Sequence, residues 1–130
     1  FKHLRYFTKT ESSENIDFNY YLRAIDHLEK TEKNIDYFLF SEFPEACYEK
    51  VCSITKNRVH IVPNLFIPAQ VVYLMSKCKS IIISNSTFSW WGAWLSKKDT
   101  KIIYAPKLLK LKGESFWGFD GLIPNNWYQI

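Results

Sequence analysis

Hydrophobic positions along this chain follow two rhythms that take turns. Phe18, Tyr21, Leu22, Ile25 and Leu28 recur at the spacing of one helix face, with Asp17 or Asn15 available as a cap. Asp36 to Ser41 is instead a short aromatic and apolar run, the mark of a buried strand. Pro44 then opens a helix to about Ile54, since proline suits a first helical turn. Val59 to Val62 is the next strand, ended by Pro63, and Pro68 starts a helix carrying Val71, Val72, Leu74 and Met75. Ile81 to Ser84 reads as a strand, followed by a tryptophan-rich helix and by the strand Lys101 to Tyr104, stopped by Pro106. Phe1 to Leu4 reads as the end of a further strand and Thr8 to Asn15 as a loop. The tail, with Trp117, Phe119 and Trp127 among glycines and prolines, reads as an irregular segment packed back onto the body.

Strands alternating with helices at this spacing predict βαβ units and a parallel sheet. The expected fold class is α/β, a three-layer Rossmann-like domain occupying residues 1–130 as one unit. The chain carries neither Gly-x-Gly-x-x-Gly nor a Walker loop, which disfavours dinucleotide and ATP sites of those kinds. In a parallel sheet all strand carboxyl ends open on one edge, where such folds bind ligands. His3-Leu4-Arg5, Phe40-Ser41-Glu42 and Ser84-Asn85-Ser86-Thr87 would therefore converge on one crevice.

Composition narrows the class. With 47% hydrophobic and 18% aromatic residues in 130, the chain has enough apolar material for a packed core. No apolar run approaches the length of a membrane span. The net charge of +4 is mild, and part of the excess, Lys101, Lys107, Lys110 and Lys112, shares its stretch with no acid. A solvated surface is the plain reading of these lysines; a membrane surface or an anionic substrate is the other, and nucleic acid is disfavoured by the lack of any binding motif. Cys47, Cys52 and Cys78 are odd in number and lack zinc spacing, so reduced thiols are expected. His27 and His60 have no sequence partners that would make them ligands, and no metal site is expected.

The richest stretch runs from Ser84 through Asn85, Ser86, Thr87, Phe88, Ser89, Trp90, Trp91, Gly92, Ala93 and Trp94 to Leu95. Small hydroxyl and amide residues at a strand-to-helix junction suit a phosphate or a sugar hydroxyl, together with the N–H groups that open the helix. Ser86 and Thr87 also read simply as helix caps. Trp91, Trp94 and Leu95 share a helical face, which predicts packing against the sheet rather than a sugar platform. Arg5 offers a planar, permanently charged fork for a phosphate, and Glu42 an acceptor for a base edge or a sugar hydroxyl. His3 reads equally as a structural histidine. Such a set suits a nucleotide sugar, whose departing diphosphate it can stabilise without a metal.

The stretch Ser84 to Leu95 closely resembles the signature of the α-1,2-fucosyltransferases, glycosyltransferase family 11. His3-x-Arg5 is similar to the start of that family's His-x-Arg-Arg-x-Asp motif, and Phe38-Leu39-Phe40-Ser41 to its Phe-Ser-Asp strand end. Tyr20-Tyr21-x-x-Ala24-Ile25, Leu74-Met75-Ser76-Lys77-Cys78 and Ile123-Pro124-Asn125-Asn126-Trp127 resemble the segments around them. The resemblance implies the nucleotide-sugar-binding half of a GT-B-type enzyme. That enzyme would transfer fucose from GDP-fucose to a galactoside 2-hydroxyl, inverting and metal-independent, with the donor as substrate and no cofactor. By carry-over Arg5 would grip the diphosphate as the catalytic residue, and His3, Ser41, Glu42, Asn85, Ser86, Thr87 and Ser89 would line the donor pocket beside it. The resemblance further implies an acceptor domain upstream and a galactose-containing glycan acceptor. Composition suggests work at the cytoplasmic face of a bacterial membrane, with a peripheral membrane contact left open. Tyr6 stands where the family has its second arginine, and Glu42-Phe43 replaces its usual acidic pair. A related donor sugar therefore stays open, as does a non-catalytic nucleotide- or glycan-binding module of the same fold.

Overall fold

The computed structural model describes residues 16–96, 101–107 and 121–130, together with the backbone of residues 2–5. Among the described residues, six strands and four helices alternate for most of their length: β1 (Lys2–Arg5), α1 (Phe18–Thr31), β2 (Asp36–Phe40), α2 (Pro44–Cys52), β3 (Arg58–Ile61), α3 (Pro68–Ser76), β4 (Ser80–Ile82), α4 (Thr87–Trp94), β5 (Ile102–Ala105) and β6 (Tyr128–Gln129). They form one parallel sheet in the order β3-β2-β1-β4-β5-β6, the order of the doubly wound nucleotide-binding fold. The expected α/β parallel architecture is therefore observed.

Alternation along each strand divides the core in two, because successive side chains point to opposite faces. On one face Tyr37, Leu39, Ile82 and Tyr104 meet Tyr20, Tyr21, Ala24, Ile25 and Leu28 of α1 and Cys47 and Val51 of α2. On the other, Ile81, Ile83, Ile103 and Ala105 meet Ala93 of α4, with Cys78, Ile123 and Trp127. Helix α1 is capped by Asp17, whose side chain accepts from the Asn19 N–H at 3.1 Å. That bond holds the Asp17 carboxyl below the usual carboxylate range. After α1, Asn34 takes a left-handed turn (φ 54°) into β2, a conformation asparagine tolerates better than most residues.

Several expectations change. Tyr20 and Ala24 join the buried face of α1, while Leu22 is exposed; a helix face is set by where the sheet lies, which spacing alone leaves free by one position. The tail is not wholly irregular, since Tyr128 and Gln129 pair with Tyr104 and Ala105 as an edge strand. The loop Thr8 to Asn15, with the alternative cap Asn15, and Tyr6, Lys110, Lys112, Trp117 and Phe119 lie outside the described residues.

The largest correction concerns the tryptophans. Trp91 and Trp94 are 50% and 53% exposed, and Leu95 is exposed beside them. The buried stripe of α4 is instead Ser89, Gly92 and Ala93. Small residues at that spacing let α4 approach α3 so closely that a Cβ on Gly92 would lie 2.9 Å from the Met75 Cβ. The bulky side chains must then point outward. Trp90 alone anchors inward: its indole N–H donates to the Leu122 carbonyl at 2.9 Å, and its ring packs against the core beside Trp127.

Candidate functional site

Strands β1 and β4 lie side by side at the centre of the sheet, and the chain winds outward from them in opposite directions. Between their carboxyl ends is the point where strand order reverses, the usual binding crevice of an open α/β sheet. Three expected clusters meet there. Arg5, the last residue of β1, is in register with Phe40, so Ser41 and Glu42 follow directly beside it. Leu4 is in register with Ile82, which brings Arg5 level with the start of the Ile83–Thr87 turn. The side chains of His3 and Arg5 lie outside the described residues.

The Ser84–Thr87 turn is held from beneath. Tyr20 reaches up from α1 and donates to the Ile83 carbonyl at 2.8 Å in a buried bond. Burial pushes the Tyr20 phenol well above its ordinary range, so it remains a donor at any physiological pH. The Ser84 carbonyl accepts from the Ser86 N–H at 2.8 Å. Ser89, fully buried, donates to the Ser86 carbonyl at 2.9 Å and lies within 3.2 Å of the Ser84 carbonyl. Its hydroxyl thus pins the turn to the first turn of α4 from inside, rather than facing the crevice.

What remains on the outside is chemically free. Ser86 occupies the N-cap position of α4, yet no side chain caps the helix. The side chains of Asn85, Ser86 and Thr87 make no hydrogen bond among the described residues, with Asn85 and Ser86 half-buried and Thr87 exposed. An uncapped helix start, flanked by unsatisfied amide and hydroxyl groups, is suited to an anion or a polyhydroxyl ligand. Capping, the plain reading of Ser86, is not what its hydroxyl does.

On the β2 side, Ser41 is buried: its hydroxyl accepts from the Phe43 N–H at 3.0 Å and lies 3.3 Å from the Cys47 sulfur. Burial raises the Cys47 thiol, with the Ser41 bond opposing the shift. Ser41 therefore shapes the β2 turn, while Glu42 projects into solvent at the rim. All three cysteines are unpaired, and among the described residues no cluster of histidine, cysteine and carboxylate groups is arranged to hold a metal.

Sequence reasoning missed Tyr20 and Ser84 as supports of the turn. Tyr20 sits one position before the expected apolar face, and a buried tyrosine whose hydroxyl needs a partner was the available signal.

A parallel α/β sheet with a hydroxyl- and amide-rich turn at its switch point is suited to a phosphate or a sugar hydroxyl. The model of glycosyl transferase family 11 matches residues 5–115, and the chain belongs to that family. It is similar to the O-antigen biosynthesis glycosyltransferase WbnK of Escherichia coli, 33% identical over 91 residues, 68% of this chain and 30% of the relative. It is also similar to an alpha-1,2-colitosyltransferase of Escherichia coli, 34% identical over 113 residues, 85% of this chain and 38% of the relative. The aligned part thus spans under two fifths of these curated relatives' length. No solved structure matches the chain.

Proposed function

We propose that this chain is the donor-binding unit of an inverting, metal-independent GT-B-type glycosyltransferase. It would move a fucosyl group from GDP-fucose to the 2-hydroxyl of a galactoside. The observation that carries this reading is the meeting of Arg5 with the uncapped Ser84–Thr87 turn at the switch point of the sheet. One relative's name specifies α-1,2 transfer of colitose and another's O-antigen biosynthesis, which favours a related sugar, the same linkage and a surface-polysaccharide acceptor at the cytoplasmic face of the membrane.

In this reading the Arg5 guanidinium and the N–H groups opening α4 hold the diphosphate, and Asn85, Ser86 and Thr87 bind phosphate or ribose oxygens. Glu42 accepts from the base or a sugar hydroxyl, and His3 lies beside the diphosphate. As the acceptor oxygen bonds to the anomeric carbon, the bond from that carbon to the diphosphate breaks. GDP leaves with the bonding pair, and the acceptor hydroxyl gives up its proton to solvent water. Positive charge and N–H donors fixed at the leaving diphosphate lower that barrier without a metal. Ser41 and Ser89 contribute by shaping the two turns from below.

Calorimetric titration with GDP-fucose, GDP-colitose, GDP-mannose and UDP-galactose, repeated on Arg5→Ala, tests the proposal. Binding confined to the first two and largely lost without Arg5 is expected. Binding of GDP-mannose as well would keep the site and withdraw the sugar. A folded chain that binds none of them would favour a non-catalytic module.

A further inference from the structure

Strand β4 ends at Ile82 although Ile83 still bonds to β5, and a proline explains the stop. In a parallel ladder a bonding residue gives its N–H to the neighbouring strand and accepts an N–H from two residues further along it. Ile81 is in register with Ile103 and Ile82 with Tyr104, and the Ile83 N–H donates to the Tyr104 carbonyl at 2.9 Å. The N–H in line for the Ile83 carbonyl would come from position 106, which is Pro106 and has none. Beyond it the chain bonds to its other neighbour, the Lys107 N–H donating to the Ile130 carbonyl at 3.1 Å.

A buried carbonyl left without a partner is costly. Here a side chain from another layer supplies the missing group: the buried Tyr20 hydroxyl, at the start of α1, donates to the Ile83 carbonyl at 2.8 Å. Among the described residues no backbone N–H donates to that oxygen. Ile83 and Pro106 are both buried, so solvent offers no substitute. The peptide pinned in this way is the one from which the site turn springs. Because a peptide is planar and trans, holding its oxygen on the β5 side turns the Ser84 N–H toward β1, whose last residue is Arg5.

We propose that Tyr20 is a positioning residue of the candidate site: its hydroxyl replaces the N–H that Pro106 lacks and so sets the direction in which the Ser84–Thr87 turn leaves the sheet. Ser89 pins the same turn from α4, so it is held from both helical layers. A turn ordered in advance presents Asn85, Ser86 and Thr87 without an ordering cost at binding. The effect on a GDP ligand rests on the donor reading of this site, whereas the complementarity of Tyr20 and Pro106 does not.

The experiment combines amide hydrogen exchange with calorimetric titration by GDP, on the full chain, on Tyr20→Phe, and on Tyr20→Phe joined to Pro106→Ala, which puts an N–H back at position 106. Tyr20→Phe is expected to speed exchange of the Ser86 N–H, bonded at 2.8 Å within the turn, by about tenfold. GDP affinity falls by about tenfold with it, and the double variant recovers most of both losses. Tyr37→Phe, which removes a tyrosine bond to Glu29 near the amino end of β2, lowers the melting temperature but leaves both readouts unchanged. The proposal is overturned if Ser86 in Tyr20→Phe exchanges as in the unaltered chain, if GDP affinity falls no further than in Tyr37→Phe, or if Pro106→Ala restores neither loss. An unaltered chain that binds no GDP sinks the donor reading, while exchange and rescue still decide the role of Tyr20. Should Tyr20→Phe fail to fold, recovery of the fold by Pro106→Ala supports the proposal and its absence overturns it.

Discussion

The two helical layers of this domain are built on opposite plans. Helix α1 turns large side chains inward, with Tyr20, Tyr21, Ile25 and Leu28 buried, and meets water with charge, including the Lys30–Asp26 pair at 2.6 Å and Glu32 bound to Lys79 at 2.9 Å. Behind it, Tyr37 donates to Glu29 at 3.1 Å and Thr55 donates to the same carboxylate. Helix α4 instead sets small residues, Gly92 among them, against the buried Met75 of α3 and turns Trp91 and Trp94 outward. The first layer is held by the volume of its core, the second by close backbone approach. One layer thus meets water largely with charge, and the other with the aromatic side chains Tyr73, Trp91 and Trp94.

That contrast can be broken most severely from the first layer. Leu28→Ala empties a fully buried position and should cost about 2–5 kcal/mol in denaturant unfolding. Gly92→Ala attacks the second layer from the other direction, by adding a carbon 2.9 Å from the Met75 Cβ. A loss of about 1–3 kcal/mol is expected, since neither backbone can yield freely. An unchanged midpoint would show that the close approach is not needed.

A smaller effect sharpens the role of the site turn. Ser89→Ala removes the hydroxyl that joins the Ser84 and Ser86 carbonyls and should cost about 1 kcal/mol, with weakened GDP-sugar binding by calorimetry. Loss of stability without loss of binding would detach the pin from the site. Trp91→Ser should cost no more than about 1 kcal/mol, because half of the side chain is already in water and the rest only meets Trp90 edge-on at 5.1 Å.

Alkali probes where the first layer meets β5. Burial foremost, with Tyr128 and Glu32 nearby, pushes the Tyr104 phenol up to about 12 from an ordinary 10. A group whose folded pKa is raised contributes its stability below the unfolded value and loses it as pH climbs through the folded one. Tyr104 should therefore stabilise fully below pH 10 and progressively less from there to about pH 12. Thermal melts across that range should fall less steeply for Tyr104→Phe.

Much of this protein was open to reading from its residues in order. Alternation of periods marked nearly every element, and Pro44, Pro63, Pro68 and Pro106 bounded several within a residue or two. Parallel βαβ winding follows from that alternation, and with it the meeting of Arg5, Glu42 and Asn85 at one edge. The motif Ser84 to Leu95 marked the family as well, because its unusual residue types are local in sequence.

Tertiary structure decided what local pattern leaves degenerate. Whether Ser89 faces a ligand or a carbonyl, and whether Ser86 caps its helix, depends on where the chain on either side is held. Which side of α4 is inner depended on a distant residue, Met75, against which only glycine fits. Hydrophobicity predicted the tryptophans inward, but packing is settled by shape, and the helix buried the side that let it come closest.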